Sequence, residues 1–114
     1  MAPKILIIQI DRGLDYGSTN KNLTIVDVSS QTLDLPTRTN GSSVHVLYCL
    51  KSVVCHEGRT SVKGHYFTYS KLGQNWYMLS DAKVRQLAKN LVADSINRRH
   101  AYMYVFEKSV DQPV

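Results

Sequence analysis

Three residues, His65, Ser80 and Asp81, could form part of a nucleophilic catalytic site. An imidazole beside a hydroxyl or a carboxylate is a general base together with the group that orients it. The orienting group would accept the Nδ1 hydrogen of the imidazole, which leaves Nε2 to take a proton from a nucleophile. Gly64, directly before the histidine, would let another backbone or a substrate pass close by. The alternative is that His65 is a polar residue at the start of a strand, satisfied by solvent or by a neighbour.

An antiparallel hairpin would bring these residues together. Residues 64–70 (GHYFTYS) and 75–80 (NWYMLS) are rich in aromatic residues, and the four residues between them include a glycine, so they predict two strands and a turn. Residues whose numbers sum to about 145 or 146 should then face each other. This pairing puts His65 opposite Ser80 or Asp81, at about 5 Å. A slip of one residue decides which of the two shares the face of the histidine.

Outside this hairpin, the pattern of apolar residues predicts further strands and one helix. Residues 84–96 carry apolar side chains at spacings of three and four, which is typical of one face of a helix. Residues 4–10 (KILIIQI) are almost continuously apolar, as expected of a strand buried on both faces. Further strands are expected at residues 23–28, 44–55 and 101–107, an extended stretch at 33–36, and loops at 11–22, 37–43 and 56–64. The loop at 37–43, directly before the long strand at 44–55, contains an Asn40-Gly41 turn signal. The predicted fold class is α+β, an antiparallel-rich sheet with one C-terminal amphipathic helix.

The composition is that of a soluble globular domain. The chain has 114 residues, of which 43% are hydrophobic and 20% charged, enough for one domain with a buried core. No apolar run reaches the roughly 18 residues that a membrane span needs. The first residues, MAPKIL, lack the features of a cleavable signal. We therefore expect an intracellular chain, in the cytoplasm or the nucleus, without membrane contact.

The charge balance allows a second class of function. Fourteen Lys and Arg against nine Asp and Glu leave a net charge of +5, which would suit an anionic partner such as nucleic acid. Most basic residues are scattered, and the local excess is confined to Lys83, Arg85, Lys89, Arg98 and Arg99. A solvated helix face explains that cluster as well as a phosphate-binding patch does. A basic nucleic-acid-binding domain is therefore the less favoured alternative.

Several motifs along the chain match one known pattern. Residues 48–58 (YCLKSVVCHEG) fit Y-x-L-x-x-V-V-x-H-x-G, residues 64–69 (GHYFTY) fit G-H-Y-x-x-Y, and residues 76–84 (WYMLSDAKV) approach W-Y-x-F-D-D-x-x-V. Residues 3–12 (PKILIIQIDR) approach P-K-x-L-x-I-x-L-x-R, residues 33–35 are L-D-L, and residues 101–106 (AYMYVF) approach A-Y-x-L-x-Y. In this order, and over nearly the whole chain, the motifs resemble the C-terminal, histidine-box part of the catalytic domain of ubiquitin-specific proteases.

The resemblance implies a role for each candidate residue. His65 matches the general base, Ser80 the third triad position, where Asp or Asn is usual, and Asp81 the second acid of that pair. Gly64 and Tyr66 match the segment that borders the channel for the ubiquitin tail. A neutral hydroxyl can orient an imidazole but stabilises imidazolium less than a carboxylate does, and Asp81 could supply that charge. The reaction implied is thiol attack on the carbonyl of the terminal glycine of ubiquitin.

The resemblance also implies an architecture and leaves one component missing. Residues 1–108 would be the C-terminal part of the catalytic domain, like the palm of a papain-like cysteine protease, and residues 109–114 a tail. The family's cysteine box has no counterpart here, and Cys49 and Cys55 lie within a predicted strand, where cysteines are mostly inert packing residues.

We therefore expect the chain by itself not to hydrolyse ubiquitin conjugates. Its expected partners are ubiquitin or a ubiquitinated protein and a separate segment that carries the cysteine. A catalytically inactive ubiquitin-binding or regulatory module is the alternative within the same family. The zinc-binding Cys-x-x-Cys pairs of the family are missing, so neither a metal nor another cofactor is expected.

Overall fold

One antiparallel sheet forms most of the structure, a computed structural model that describes residues 2–12, 24–57, 64–98 and 100–109. Its strands are β1 (Ile5–Gln9), β2 (Thr32–Thr39), β3 (Ser42–Glu57), β4 (His65–Leu72), β5 (Asn75–Ser80), β6 (Lys83–Gln86) and β7 (Ala101–Lys108). A 3₁₀ turn (Lys89–Leu91) and a short helix α1 (Val92–Ile96) lie between β6 and β7. The strand order is β1-β7-β3-β4-β5-β6, and β2 pairs with β3 beside this path. The predicted antiparallel-rich sheet is thus confirmed.

The long strand β3 organises the sheet. Its first half pairs with β2, its second half pairs with β4, and β7 pairs along its other edge. The register of β3 against β7 shifts between Leu50 and Ser52, which is the signature of a β-bulge. Because the bulge offsets the alternation of side chains by one residue, both Leu50 and Val53 face the core. Together with Tyr48 and Cys55, these residues are almost fully buried.

Two-residue turns connect neighbouring strands at the predicted places. Asn40 and Gly41 join β2 to β3 with φ angles of 51° and 80°, the left-handed pair that a type I′ hairpin needs. The expected flexible loop at 37–43 is therefore mostly strand, with only these two residues in the turn. β2 also continues through Pro36, because it pairs with β3 along one edge only and the missing N–H can face away from that pairing.

Strand β1 is confirmed, but it is not buried on both faces. Leu6 and Ile8 pack against the core, whereas Ile5 is 45% exposed and Ile7 is 58% exposed. β1 lies at one end of the strand order, paired with β7 only, and the described residues cover one face of it. The continuous apolar run therefore reflects a half-covered edge strand.

The predicted helix over residues 84–96 is wrong for most of its length. Residues Lys83–Gln86 form β6, which pairs with β5, and the helix is limited to Val92–Ile96. Val84 is 68% exposed, while Val92 and Ile96 are buried against the core. The spacings of three and four arise because two short elements follow each other, so the apolar residues do not lie on one continuous helical face.

The predicted strand at 23–28 is also wrong within the described residues, since residues 24–28 form a loop. Asn97, just after α1, holds this loop: its Oδ1 accepts a hydrogen bond from the Val28 N–H at 2.7 Å. Asn97 Nδ2 donates to Ser29 Oγ at 2.5 Å. Most of the expected loop at 11–22 and of the expected tail at 109–114 lies outside the described residues. Within the tail, the Ser109 N–H donates to the Leu47 carbonyl at 2.8 Å. In the described part of the chain no helix is long and apolar enough to cross a membrane.

Candidate active site

The structure brings His65 and Ser80 together at one end of the β4–β5 hairpin. His65 is the first residue of β4 and Ser80 the last residue of β5, and His65 Nε2 lies 2.7 Å from Ser80 Oγ. This is a hydrogen-bonding distance for a ring nitrogen and a hydroxyl. His65 is exposed and Ser80 half-buried, so the imidazole is held on one side and open to solvent on another.

The register that produces this contact differs from the expected one. In the β4–β5 ladder, Leu72 faces Asn75 and Thr68 faces Leu79, so paired numbers sum to 147, and the predicted values of 145 or 146 are wrong. The reason is that both strands extend to a two-residue turn at Gly73 and Gln74. His65 lies beyond the last paired residue of this ladder and pairs in the backbone with Glu57 of β3. The contact with Ser80 is therefore made by the side chains at the open end of the hairpin.

The nitrogen that Ser80 contacts is also the opposite of the one expected. Nε2, rather than Nδ1, faces the hydroxyl. The orienting bond therefore leaves Nδ1 as the nitrogen available for proton transfer. The physical logic of a base and its orienting partner is unchanged, because either ring nitrogen of a neutral imidazole can donate while the other accepts.

Asp81 follows Ser80 in the chain, and its backbone has left the extended conformation of β5. It begins the two-residue turn between β5 and β6, with a φ of 53°, and it is exposed. A left-handed φ is tolerated by Asp better than by most residues. Within the described residues, the hydrogen bond to the imidazole comes from Ser80 and not from Asp81. The expectation that Asp81 adds a charge to the pair stays a prediction.

Gly64 is required by the geometry just before the base. Its φ is +146°, which residues with a side chain rarely adopt. A Cβ atom at this position would collide with the Glu57 carbonyl oxygen and lie 2.6 Å from His56 Nε2. The glycine thus allows the chain to pass close to the end of β3 and to place His65 at the first position of β4.

An aromatic group lies on the other face of β4. Tyr66, 52% exposed, pairs in register with His56, which is buried, and their ring centroids are 4.5 Å apart. The Tyr102 ring contacts Tyr66 edge-on, at 5.9 Å between centroids. Because side chains alternate along a strand, Tyr66 faces away from the side that His65 occupies. The two residues therefore serve opposite faces of β4.

The face of His65 carries a cation supported by two aromatic rings. The Arg98 guanidinium lies 5.8 Å from the centroid of Phe67 and 5.7 Å from that of Tyr69. Phe67 in turn stacks with His65, at 6.2 Å between centroids. Burial raises the pKa of the Tyr69 hydroxyl, while the charges of Arg98 and Arg85 act in the opposite direction. Two arginines therefore lie near the buried tyrosine on the side of the sheet that carries the base.

The two cysteines of the chain differ in their surroundings. Cys55 is fully buried, and burial raises the pKa of its thiol to about 12, with Arg98 and Arg12 only partly offsetting this effect. Cys49 is half-buried in β3 and faces Thr32 and Glu107 in the neighbouring strands. A catalytic thiol needs partial exposure and a lowered pKa, and Cys55 has neither. Over the described ranges, no three His, Cys, Asp or Glu side chains are grouped in a way that could hold a metal ion.

The family follows from comparison with known proteins. The family model described as ubiquitin carboxyl-terminal hydrolase matches residues 1–106. The chain belongs to the ubiquitin carboxyl-terminal hydrolase family. This membership confirms the resemblance noted in the sequence motifs.

A relative in sequence agrees with this assignment, and two solved structures share the fold. Ubiquitin carboxyl-terminal hydrolase 17-like protein D of Mus musculus is 31% identical over 113 residues, which cover 96% of this chain and 19% of that protein. One chain in the structure of a SAGA DUB module bound to monoubiquitin has a similar fold, with a TM-score of 0.71 and 20% sequence identity. The match covers 96% of the present chain and 24% of the chain in that module. An essential yeast splicing factor is similar over 96% of this chain and 26% of its own, with a TM-score of 0.69 and 24% identity. The chain thus spans about a fifth to a quarter of the length of these proteins.

Two features of the site were not predicted from the sequence. The position of Arg98 over Phe67 and Tyr69 depends on the path of the chain between α1 and β7. The backbone pairing of Glu57 with His65 depends on how far β3 extends. The local excess of basic residues at Lys83, Arg85, Lys89, Arg98 and Arg99 is the sequence signal for this region, and a solvated helix face explains it as well as a phosphate-binding patch does.

Proposed function

We propose that the chain is the histidine-bearing part of a cysteine-type deubiquitinase, in which His65 is the general base and Ser80 orients it. The observation that carries the proposal is the 2.7 Å contact between His65 Nε2 and Ser80 Oγ in a member of the ubiquitin carboxyl-terminal hydrolase family. The proposed substrate is ubiquitin joined through its terminal glycine to an amine.

In this mechanism the base acts through Nδ1. Nδ1 takes the proton from a cysteine thiol, and the thiolate attacks the carbonyl carbon of the terminal glycine. The imidazolium then returns the proton to the leaving amine, and water, deprotonated by the same imidazole, releases ubiquitin from the thioester. Throughout these steps Nε2 stays bound to Ser80, so the ring keeps one orientation relative to the thiol.

The nucleophile is proposed to come from a cysteine other than the two in these 114 residues. Cys55 is excluded by its complete burial and by a thiol pKa of about 12. A separate segment that carries the cysteine would approach His65 from its exposed side. The sheet would then be the palm-like part of the catalytic domain, with residues 1–108 contributing to it and residues 109–114 forming a tail.

Serine at the orienting position makes the pair electrically neutral. The hydroxyl fixes the ring direction but provides no negative charge for the imidazolium that forms during catalysis. Asp81, the next residue along, is proposed to provide that charge from the turn when substrate is bound. Gly64 and Tyr66 are proposed to border the ubiquitin tail, since Gly64 lies at an exposed close approach of two strands and Tyr66 presents an exposed ring. We further propose that the protein acts inside the cell, in the cytoplasm or the nucleus, without a cofactor.

Two measurements test this function. The first incubates the purified chain with a ubiquitin fluorogenic substrate, and the expected result is no turnover. Turnover that is abolished by Cys55→Ala or Cys49→Ala would overturn the assignment of the nucleophile to another segment. The second adds ubiquitin to labelled protein and follows the amide signals by NMR. We expect shifts concentrated at residues 64–69, and their absence would count against ubiquitin as the ligand.

A matched pair of variants makes the NMR result specific. Tyr66→Ala removes an exposed ring beside Gly64 and should weaken the ubiquitin-induced shifts, whereas Leu72→Ala removes a side chain that is 74% exposed at the far end of the same strand and should not. The alternative within the family, a catalytically inactive ubiquitin-binding module, is favoured by the burial of Cys55. It predicts the same shifts, but no gain of activity when a segment with the cysteine is added.

A further inference from the structure

The last strand of the hairpin region, β6, lies at the free end of the strand order and next to the candidate base. In the described part of the chain β6 pairs with β5 only. Lys83 pairs with Ser80 and Arg85 with Met78, and directly paired side chains lie on the same face of a sheet. The two cations of β6 are therefore on the face that carries Ser80. The distance of 3.9 Å between Arg85 Nη2 and Met78 Sδ agrees with this placement.

A third cation completes this surface, which we call the basic rim and define as Lys83, Arg85 and Arg98. All three residues are exposed. Arg98 lies over Phe67, the ring that also stacks with His65. Among the described residues, none of the three is paired with a carboxylate within 4 Å. Lys83 and Arg85 therefore present donors to an external acceptor, whereas Arg98 also hydrogen-bonds the Tyr69 side chain and offers only its remaining donors.

The backbone of β6 is also available along its outer edge. Ser80 and Lys83 close a two-residue turn, and the pairs in such a hairpin alternate between hydrogen-bonded and non-hydrogen-bonded, starting with the closing pair. The N–H of Leu87 donates to the Trp76 carbonyl at 2.8 Å, which continues this alternation. The N–H and C=O groups of Val84 and Gln86 consequently point away from β5, where an added strand would find them.

We propose that β6 and the basic rim bind an extended acidic segment of the substrate protein, next to the bond that is cut. Lys83 and Arg85 are two residues apart on one face of a strand, or about 7 Å. Side chains at alternate positions of an extended peptide have the same spacing. A peptide paired with β6 would therefore present acidic residues at alternate positions to the two cations and hydrogen-bond its backbone to Val84 and Gln86.

Two acids border the same region and bear on this charge balance. Asp81 lies in the turn before Lys83, and Glu57 pairs with His65 across the strands. Both lie towards the candidate base, whereas Lys83 and Arg85 of the rim extend from Ser80 along β6 in the other direction. The two acids therefore repel an acidic segment from the base, and the two cations attract it along the outer edge of β6. A polypeptide is favoured over nucleic acid because the cations line a strand edge whose backbone groups match a peptide.

This inference names the substrate class for the site described above, and in that sense it rests on the proposed function. Its test uses binding alone, so that the two can fail separately. Fluorescence anisotropy would measure binding of a labelled octapeptide with glutamate at alternate positions to the full 114-residue chain. A peptide with the same glutamates in one block and a peptide with glutamine in their place are the comparison probes. We expect the alternating peptide to bind most tightly.

A matched pair of variants assigns the binding to the rim. Lys83→Gln with Arg85→Gln should weaken binding of the alternating peptide about tenfold, the size expected for two exposed charge pairs. Lys4→Gln with Arg38→Gln removes the same residue types and the same charge elsewhere on the surface, and it should change affinity less than about twofold. Equal losses in both variants would overturn the proposal, as they would show a response to net charge alone.

Two further outcomes are decisive. Amide exchange at Val84 and Gln86 should slow when the peptide binds, and unchanged exchange there would overturn strand addition. A single-stranded oligonucleotide of the same charge that binds more tightly than the peptide would overturn the choice of a polypeptide. If ubiquitin shifts the signals of residues 64–69 but the acidic peptide does not bind, the inference fails while the proposed function stands. If the peptide binds and ubiquitin does not, the proposed function fails instead.

Discussion

Replacing Gly64 with alanine tests how the structure positions the candidate base. The new Cβ atom would lie 2.6 Å from His56 Nε2 and collide with the Glu57 carbonyl oxygen. Neither neighbour can move easily, because His56 is buried and Glu57 is paired in the β3–β4 ladder. The backbone must therefore shift at the residue that precedes His65.

The expected loss of stability in Gly64→Ala has two causes. A side chain at a φ of +146° is strained, which costs about 1–3 kcal/mol. Overlap in a closely packed place adds about 1–3 kcal/mol. We therefore expect Gly64→Ala to lower the free energy of unfolding by about 3 kcal/mol. For a domain of this size, that loss corresponds to a fall in Tm on the order of 15 °C.

The assay is urea unfolding followed by the fluorescence of Trp76, which is buried in the native state and is the one tryptophan of the chain. Gly73→Ala is the matched control. Gly73 also has a left-handed φ, +63°, but nothing lies within 4 Å of the position its Cβ would take. The control should lose about 1 kcal/mol from backbone strain alone.

The difference between the two variants measures the contact with β3. If Gly64→Ala is no more destabilising than Gly73→Ala, then the close approach of Gly64 to His56 and Glu57 is refuted. In that case the positioning of His65 by this approach is refuted as well. NMR signals of His65 should also move in Gly64→Ala and stay in place in Gly73→Ala.

Three further predictions concern the thiols, the orienting bond and the cation. Because the folded-state pKa of Cys55 is raised to about 12, its stabilising contribution is complete below the unfolded value of 9.0 and is lost as the pH rises between them. In that range the free energy of unfolding of the parent protein, measured with urea, should fall with pH more steeply than that of Cys55→Ala, by about 1.4 kcal/mol per pH unit at most, because the buried tyrosines contribute to the slope of both proteins. An equal dependence of stability on pH in Cys55→Ala would contradict a raised pKa of the Cys55 thiol. In the folded protein, iodoacetamide should label Cys49 before Cys55. Ser80→Ala should change the tautomer ratio of His65 measured by ¹⁵N NMR, whereas Ser80→Thr, which keeps a hydroxyl, should not change it. Identical ratios in the parent protein and both variants would show that the hydroxyl does not orient the ring. Arg98→Ala should lower the free energy of unfolding by about 0.5–1 kcal/mol, because the contacts with the aromatic rings are lost. Arg98→Lys keeps a positive charge and should lower it less. Equal stability of both variants and the parent protein would argue against those contacts.

Local chemistry made several elements predictable. The alternation and the β-branched and aromatic content of the strands identified β1, β3, β4, β5 and β7, and the Asn40-Gly41 pair identified the turn between β2 and β3. These signals depend on residues that are neighbours in the sequence, and neighbours are sufficient to set backbone preferences. The proximity of His65 to Ser80 was predictable for the same reason, since both belong to one hairpin.

Pairing over longer distances decided what local patterns could not. Residues 83–86 match a helical spacing as well as a strand, and only their pairing with β5 makes them β6. The register of β4 against β5 followed from the length of the turn, and it determined that Ser80, rather than Asp81, lies on the face of His65. Such choices depend on contacts between elements, and a shift of one residue in pairing changes which side chains meet.

The sequence by itself therefore determined which residues were available for the site: a base, a hydroxyl beside it, and a glycine at the entry to the strand. The tertiary structure decided their geometry, because the end of β3 that contacts Gly64 and the Arg98 side chain that lies over Phe67 come from other parts of the chain. The tertiary structure also decided that Cys55 is buried in the core, because β3, which carries it, pairs with β4 and β7 only in the folded sheet.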